Sequence, residues 1–274
     1  MDTNIRIVQE YYDGDVQLEW DRLGTHPFEF RITTQMMDQY IKPGDKILDI
    51  GGGPGRYSLY YAQKGCEVTL VDLSPGNVKF ALAKSKEMGV NLKAIHGDAR
   101  EVNQLIEGEF DHIFVMGPMY HLMEEEDRVK ALKAALSLLK EGGNIYISFI
   151  LMFAGMIYGM KVMPQFLLLG QEQSFVDAVL KDESFAGDAF TKAFFISQKD
   201  ILPFMANFPL EKKHLFGQES ILAPCEANLL NQPQEVLDKW IEIAVRLCER
   251  EELLSYSEHA MYIGQKSKEG KIGE

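Results

Sequence analysis

The residues with the clearest chemical meaning form a glycine loop. Leu48-Asp49-Ile50-Gly51-Gly52-Gly53-Pro54-Gly55-Arg56 leads from a short apolar run through four glycines into a helical pattern. Glycines let a backbone approach a ligand closely, and a helix N-terminus offers N–H groups with no partner inside the helix. Open α/β sheets bind ligands outside the carboxyl ends of their strands, which is where such a loop falls. The spacing discriminates between ligands. A dinucleotide fingerprint needs G-x-G-x-x-G, but counting from Gly51 puts Arg56 at the third glycine, counting from Gly52 puts Pro54 at the second, and counting from Gly53 puts Ser58 at the third. No G-K-[ST] follows, so this is not a P-loop. The pattern present is D-x-G-x-G-x-G at Asp49, Gly51, Gly53 and Gly55, and Asp72 ends a second apolar run 23 residues after Asp49.

The elements that must position these groups alternate. KILDIG, EVTLVD, NLKAIHGD, FDHIFVMG and NIYISFI read as strands, separated by the helical patterns RYSLYYAQK, NVKFALAKSKEMG and DRVKALKAALSLLKEGG. In the last of these, Val129, Leu132, Leu136 and Leu139 recur at helical spacing, with Gly142 and Gly143 as the stop. Alternating strands and helices with nearly all-apolar strands predict a parallel sheet covered on both faces. PLEKKHLFG and EHAMYIGQK read as two further strands around the amphipathic helix PQEVLDKWIEIAVRLCEREELL, with Pro233 near its start, which places an antiparallel strand at or near the edge. The expected fold is a Rossmann-like, doubly wound, seven-stranded sheet, mostly parallel. The whole chain, 1–274, is expected to be one domain. It would comprise an N-terminal helical cap (1–44), a cofactor-binding core (45–150), a helical substrate-lid insert without obvious strands that sets specificity (151–200) and C-terminal strands and helix (201–266), with a frayed tail.

The loop resembles motif I of the class I S-adenosylmethionine-dependent methyltransferases, and the resemblance continues in order over residues 45–150. It implies that Asp49, Gly51, Gly53, Gly55 and Arg56 surround S-adenosylmethionine and that Asp72, with Leu73 beside it, binds the ribose hydroxyls. A carboxylate there accepts two hydrogen bonds from a vicinal diol and would repel a 2′-phosphate. It implies that Asp98 and Ala99, in HGDAR, sit beside the adenine, and that Met116-Gly117-Pro118 forms the floor between cofactor and acceptor. GGGPGRYS, VDLSP, GPMYHL and HAMYIGQK look closest to uncharacterised bacterial methyltransferases of small molecules. The N-terminal segment is expected to fold over the cofactor, with Tyr11, Tyr12, Trp20, Arg22 and Arg31 as candidates there; Arg22, Arg31 or Arg56 could pair with the methionyl carboxylate. His121 is the candidate base for a protonated nucleophile, and Tyr120 the residue that positions the acceptor.

Composition narrows the partners. Lys and Arg total 28 against 41 Asp and Glu, a formal charge of −13. Such a surface repels phosphate backbones and anionic membranes, so no nucleic acid is expected as partner, and GPMY carries only a proline and a tyrosine of the NPPY-type motif. The uncharged run Ile145–Met160 has 16 residues, short of the ~20 that span a bilayer, despite its Gly155/Gly159 pair. No signal peptide is recognisable at the start. Cys66, Cys225 and Cys248 are an odd set without metal spacing, and the other histidines, His26, His96, His112, His214 and His259, are scattered. We therefore expect a cytoplasmic protein with no metal and no disulfide. Glu124 to Asp127 fit the acidic first turn of a helix. Met152, Phe153, Met156, Tyr158, Met160, Met163, Phe166 and Leu167 to Leu169 give the insert an apolar surface suited to an acceptor with an apolar part or to a homodimer contact. The alternatives are C-methylation of a quinone or lipid, a non-catalytic protein that retains the nucleoside pocket, and a nicotinamide oxidoreductase, which the missing third glycine opposes.

Overall fold

Three helices precede the sheet. In the computed structural model, which describes residues 3–14 and 16–267 and every side chain among them except that of Leu23, these are α1 (Thr3–Gly14), α2 (Val16–Thr25) and α3 (Pro27–Met37). Pro27 opens α3, where its fixed φ suits the first turn. The expected fraying of residues 266–274 does not hold at Lys266, which is the last residue of the final strand and donates to the Leu136 and Leu139 carbonyls, while residues 268–274 lie outside the described residues. The alternating unit follows as β1 (Lys46–Ile50), α4 (Arg56–Gln63), β2 (Glu67–Asp72), α5 (Pro75–Glu87), β3 (Leu92–His96), α6 (Val102–Leu105), β4 (Phe110–Val115), α7 (Glu125–Ser137) and β5 (Leu139–Leu151). Ser74 caps α5 by accepting a hydrogen bond from the Asn77 N–H. Glu125, Glu126 and Asp127 form the acidic first turn of α7. Then come α8 (Phe153–Val162), α9 (Gln173–Lys181), β6 (Phe185–Asp188), β7 (Lys192–Ile196), α10 (Gln198–Met205), β8 (Leu210–Gly217), α11 (Glu226–Leu230), α12 (Gln234–Leu247) and β9 (His259–Lys266).

Seven strands lie in the order β3-β2-β1-β4-β5-β9-β8, all parallel except β9, which pairs antiparallel with β5 and β8. The strand order reverses between β1 and β4, the switch point where a crevice opens at the carboxyl edge. Both faces are buried, as the apolar strands required. Leu48, Ile50, Ile113, Val115, Ile145 and Ile147 pack on one side with α7 and α10. Ile47, Val68, Phe114, Tyr146, Met261 and Ile263 pack on the other with α3, α4 and α12.

The sheet differs from expectation in having nine strands among the described residues. The insert is not wholly helical, because β6 and β7 form a hairpin within it. At four and five residues, with Gly187 inside the first, these strands are too short for an alternation to register. β5 creates their docking edge. It runs to Leu151, beyond its last pair with β4 at Ile147, and β7 pairs in parallel with the vacated Ile150 and Leu151. α7 also ends at Ser137 rather than at Gly142–Gly143, which lie in β5 within its bulge against β4. The uncharged run divides between β5 and α8, and no helix of the described residues is long and apolar enough to cross a membrane.

Candidate active site

The glycine loop leaves β1 at the switch point and turns sharply, with φ of +70° at Gly51, +57° at Gly53 and +90° at Gly55. At Gly51 the need is double, because a Cβ would lie 2.5 Å from Cδ of Pro118. At Gly53 a Cβ would meet nothing within 4 Å, so the loop backbone there borders open space. Asp72, at the carboxyl end of β2, pins the loop. Its Oδ2 accepts from the Gly53 N–H at 2.8 Å, and its Oδ1 accepts from the Ser74 N–H at 2.9 Å and Asn77 Nδ2 at 3.1 Å. Burial pushes its carboxyl above the usual range, opposed by these three donors.

Asp49 lies beneath the loop, buried, and accepts from Ser58 Oγ at 2.7 Å. Loss of water, with a lesser contribution from the like charge of Asp72, raises it to about 7 against the hydroxyl of Ser58. The folded protein therefore holds a proton on Asp49 that the unfolded chain releases near pH 4. Its contribution to stability is full below that point and is lost as pH rises through 7. The stability of Asp49→Asn relative to the unmutated chain should climb by ~3 kcal/mol between pH 5 and 8. Thermal melts of both proteins across that range, without ligand, check this; parallel curves would contradict it.

Asp98 and Ala99 follow β3 and line the crevice with Leu73, Met116, Gly117 and Pro118. Both oxygens of Asp98 are engaged by Arg100, at 2.7 to 3.1 Å, and Arg100 also holds Asp127 at 2.9 Å. Burial would raise the Asp98 carboxyl, but the guanidinium holds it below the carboxylate range.

Helix α1 roofs the crevice with Ile5, Val8, Gln9 and Tyr12. Asp13 fastens it, accepting from Ser74 Oγ and from the Gly76 N–H at the start of α5. Tyr12 fastens it again, with its Oη 2.7 Å from His121 Nε2. His121 sits past β4, buried, with Nδ1 3.1 Å from the carbonyl oxygen of Lys192 on β7. That carbonyl only accepts, so Nδ1 carries the hydrogen, and Nε2 accepts from Tyr12. Burial lowers His121 to about 4, so the imidazole is neutral at physiological pH.

Beyond Met116 the crevice continues towards β5 and β9. Glu29 of α3 accepts from Tyr57 Oη at 2.6 Å and from Gln218 Nε2 at 3.2 Å, both on Oε1. Ser148 of β5 donates to Oε1 of Gln218. Glu219 accepts from His259 Nδ1 at 2.7 Å through Oε1. Its Oε2 accepts from Ser257 Oγ and the N–H groups of Glu258 and His259. Burial works against charge on His259, but Glu219, Glu29 and Glu258 lift it to about 9. Glu29, Tyr57, Tyr120, Ser148 and His259 all line the wall.

The structure thus brings Asp49, Gly51, Gly53, Asp72, Leu73, Asp98, Ala99, Met116, Tyr120 and His121 to one crevice. Gly55 caps α4 instead, 3.1 Å from Ala81 at its Cβ position. Arg56 is not on the lining. Its guanidinium stacks on Phe30 at 4.5 Å, because the first turn of α4 faces α3. Arg22 lines the crevice in its place, clamped by Glu19 at 2.7 and 2.8 Å. Tyr11 points outward to Phe190, and the adjacent Tyr12 faces in. Trp20 packs on Phe80, and Arg31 pairs with Asp238. No residue of 151–200 lines the crevice. Met152, Phe166 and Phe175 form a small core of their own with β5 and β7, while Met160 and Leu168 are exposed. The insert reaches the site through His121, which meets the Lys192 carbonyl and, at 5.8 Å between centroids, the Phe190 ring. Glu29, Gln218, Glu219 and Ser148 escaped the sequence reading, and His259 had been set aside among the scattered histidines. An acid on the buried register of α3, four residues before buried Thr33 and eight before buried Met37, was the one local signal.

The family model described as a methyltransferase domain matches residues 47–143. A glycine/sarcosine N-methyltransferase of Parasynechococcus marenigrum is 29% identical over 142 residues, 51% of this chain and 50% of that protein. A ubiquinone biosynthesis O-methyltransferase of Xanthomonas campestris pv. campestris is 33% identical over 106 residues, 39% of this chain and 43% of that protein. The chain thus spans about half the length of these curated relatives. Among solved structures, the magnesium protoporphyrin IX methyltransferase of Synechocystis PCC 6803, with bound S-adenosylhomocysteine, superposes with a TM-score of 0.58 at 14% identity, covering 96% of this chain and all of that one. An N-methyltransferase of Bradyrhizobium japonicum WM9, also holding S-adenosylhomocysteine, gives 0.57 at 12% identity, covering 97% of this chain and 100% of that one. These likenesses concern the fold. The family model thus places a methyltransferase domain at residues 47–143, and the fold is one shared with S-adenosylhomocysteine-bound methyltransferases.

Proposed function

We propose that the protein transfers the methyl group of S-adenosylmethionine to a small organic molecule. The observation that carries this reading is one continuous crevice with two chemically distinct halves. The half under β1 to β3 has a glycine backbone bordering open space and a carboxylate at the end of β2. The half towards β5 and β9 is lined by phenols, a carboxylate and an imidazole. Helix α1 contributes Ile5, Val8, Gln9 and Tyr12 to the roof.

The residues present fit the cofactor. Asp72 suits the ribose diol, and the open space at Gly53 suits close approach of the ligand. When bound, S-adenosylmethionine supplies an activated methyl group open to in-line displacement. The chain's task is then to hold the two reactants in line and keep water out. Gly51, Gly53, Asp72, Leu73, Asp98, Ala99 and Met116 hold the cofactor, and Arg22 takes the role first considered for Arg56. Tyr120 positions the acceptor. His121, with both nitrogens engaged, braces Tyr12 and the roof instead of taking the acceptor's proton.

The relatives' names include an N- and an O-methyltransferase of small molecules, which supports the acceptor class without choosing its atom. The polar acceptor half does not favour C-methylation of a quinone or lipid. A non-catalytic binder of the same nucleoside would have no use for the second half. Calorimetric titration with S-adenosylhomocysteine, with NADH as control, tests the cofactor assignment.

A further inference from the structure

We propose, building on the methyltransferase reading, that the acceptor is an amine held as its ammonium by Glu29, and that its nitrogen receives the methyl group. The charges around the acceptor half are paired with one exception. Glu19 is clamped to Arg22, and Glu219 to His259. Glu29 makes no ion pair among the described residues, and both of its hydrogen bonds fall on Oε1, from the neutral donors Tyr57 and Gln218. Those two donors fix the carboxyl plane, because Gln218 is itself held by Ser148 and sits 3.1 Å from Thr33 Oγ1. Oε2 is left without a partner on a group that lines the cavity.

His259 and Arg22 act on Glu29 from a distance, but a carboxylate withdrawn from water with no cation in direct contact is still costly, and a cationic ligand at Oε2 relieves that cost. An ammonium fits better than a planar cation, since it is compact and carries three donors for the single free oxygen, Tyr120 and Ser148. A neutral hydroxyl would bring Oε2 a donor but no charge, and an apolar carbon acceptor would bring neither. Withdrawal from water also pushes the Glu29 carboxyl above the usual range, with His259, the Tyr57 hydroxyl and Arg22 opposing and Glu219 reinforcing. That makes it a stronger proton acceptor than a solvated glutamate.

The step balances. The ammonium gives one proton to Oε2 of Glu29. The freed nitrogen lone pair forms the N–C bond as the C–S bond breaks, and sulfur keeps that bonding pair. The product leaves as the methylated ammonium, and the proton on Glu29 passes to water.

The experiment loads the full protein with S-adenosylhomocysteine and titrates benzylamine and benzyl alcohol, a cation and its neutral isostere. Benzylamine should bind at least tenfold tighter. Glu29→Gln should erase that preference while leaving S-adenosylhomocysteine affinity within threefold, which also reports that the variant is folded. Equal binding of the two probes, or binding of neither, overturns the proposal. A large loss of S-adenosylhomocysteine affinity in Glu29→Gln overturns it too, by assigning Glu29 to the methionyl ammonium. Failure of S-adenosylhomocysteine to bind the unmutated protein is a different result and removes the methyltransferase reading itself.

Discussion

Asp72→Ala should weaken binding of S-adenosylhomocysteine by several hundred-fold. In the proposed role the carboxylate accepts two hydrogen bonds from a ribose diol, and hydrogen bonds to a charged group contribute ~1.5–3 kcal/mol each. Two of them amount to about 3–6 kcal/mol, and the lower part of that range, ~3–4 kcal/mol, already gives several hundred-fold at tenfold in affinity for each ~1.4 kcal/mol. The substitution also releases the Gly53 N–H, the Ser74 N–H and Asn77 Nδ2, so the loop loses its pin as well as the ligand. Asp72→Asn separates the two effects. Its amide oxygen can still accept from the loop, so the loss should be nearer tenfold. Titration of the three proteins with S-adenosylhomocysteine checks the order, and unchanged affinity in Asp72→Ala would remove Asp72 from the site.

The glycine loop gives the second large effect, through a contrast between two neighbours. Gly51→Ala should lower stability by about 3 kcal/mol. The left-handed backbone costs an L-residue ~1–2 kcal/mol, and the new methyl group presses on the Pro118 ring, with overpacking adding ~1–3 kcal/mol. Pro118 begins the turn that carries Tyr120 and His121, so that end of the crevice should shift too. Gly53→Ala has the same backbone problem and no collision. It should cost only ~1–2 kcal/mol in stability, yet place a methyl group in the space assigned to the ligand and impair S-adenosylhomocysteine binding more than tenfold. Denaturant melts with titrations on both variants test this. A Gly53→Ala protein that binds normally would mean that the open space is not the ligand's.

Much of the cofactor half was legible because its determinants are local. β1, the loop and α4 are consecutive, and the acid that closes β2 lies one strand–helix unit away. The ambiguous positions were adjacent or alternative ones. Tyr11 and Tyr12 follow each other on α1, and only the docking of that helix through Asp13 onto α5 turns Tyr12 inward. Arg56 stood in the motif, but Phe30 of α3 stacks on its guanidinium, a contact fixed only once α3 packs on α4. The acceptor half had no local signature. Glu29 comes from α3, Gln218 and Glu219 from just past β8, and His259 from the first residue of β9. Carboxyl ends of strands are where parallel sheets place their chemistry, which drew attention away from a residue that begins a strand. β9 is antiparallel, so its first residue lies at the carboxyl edge of its neighbours, with His259 opposite Ile150. The β6–β7 hairpin was hidden by its shortness and by depending on a β5 that extends past β4.

The most direct test of the central claim is calorimetric titration of the purified protein with S-adenosylhomocysteine, run beside NADH. The account predicts saturable one-site binding of the first and none of the second, since the loop lacks the third glycine of a dinucleotide site and Asp72 stands where the ribose diol belongs. Binding of NADH, or no binding of S-adenosylhomocysteine, would contradict it.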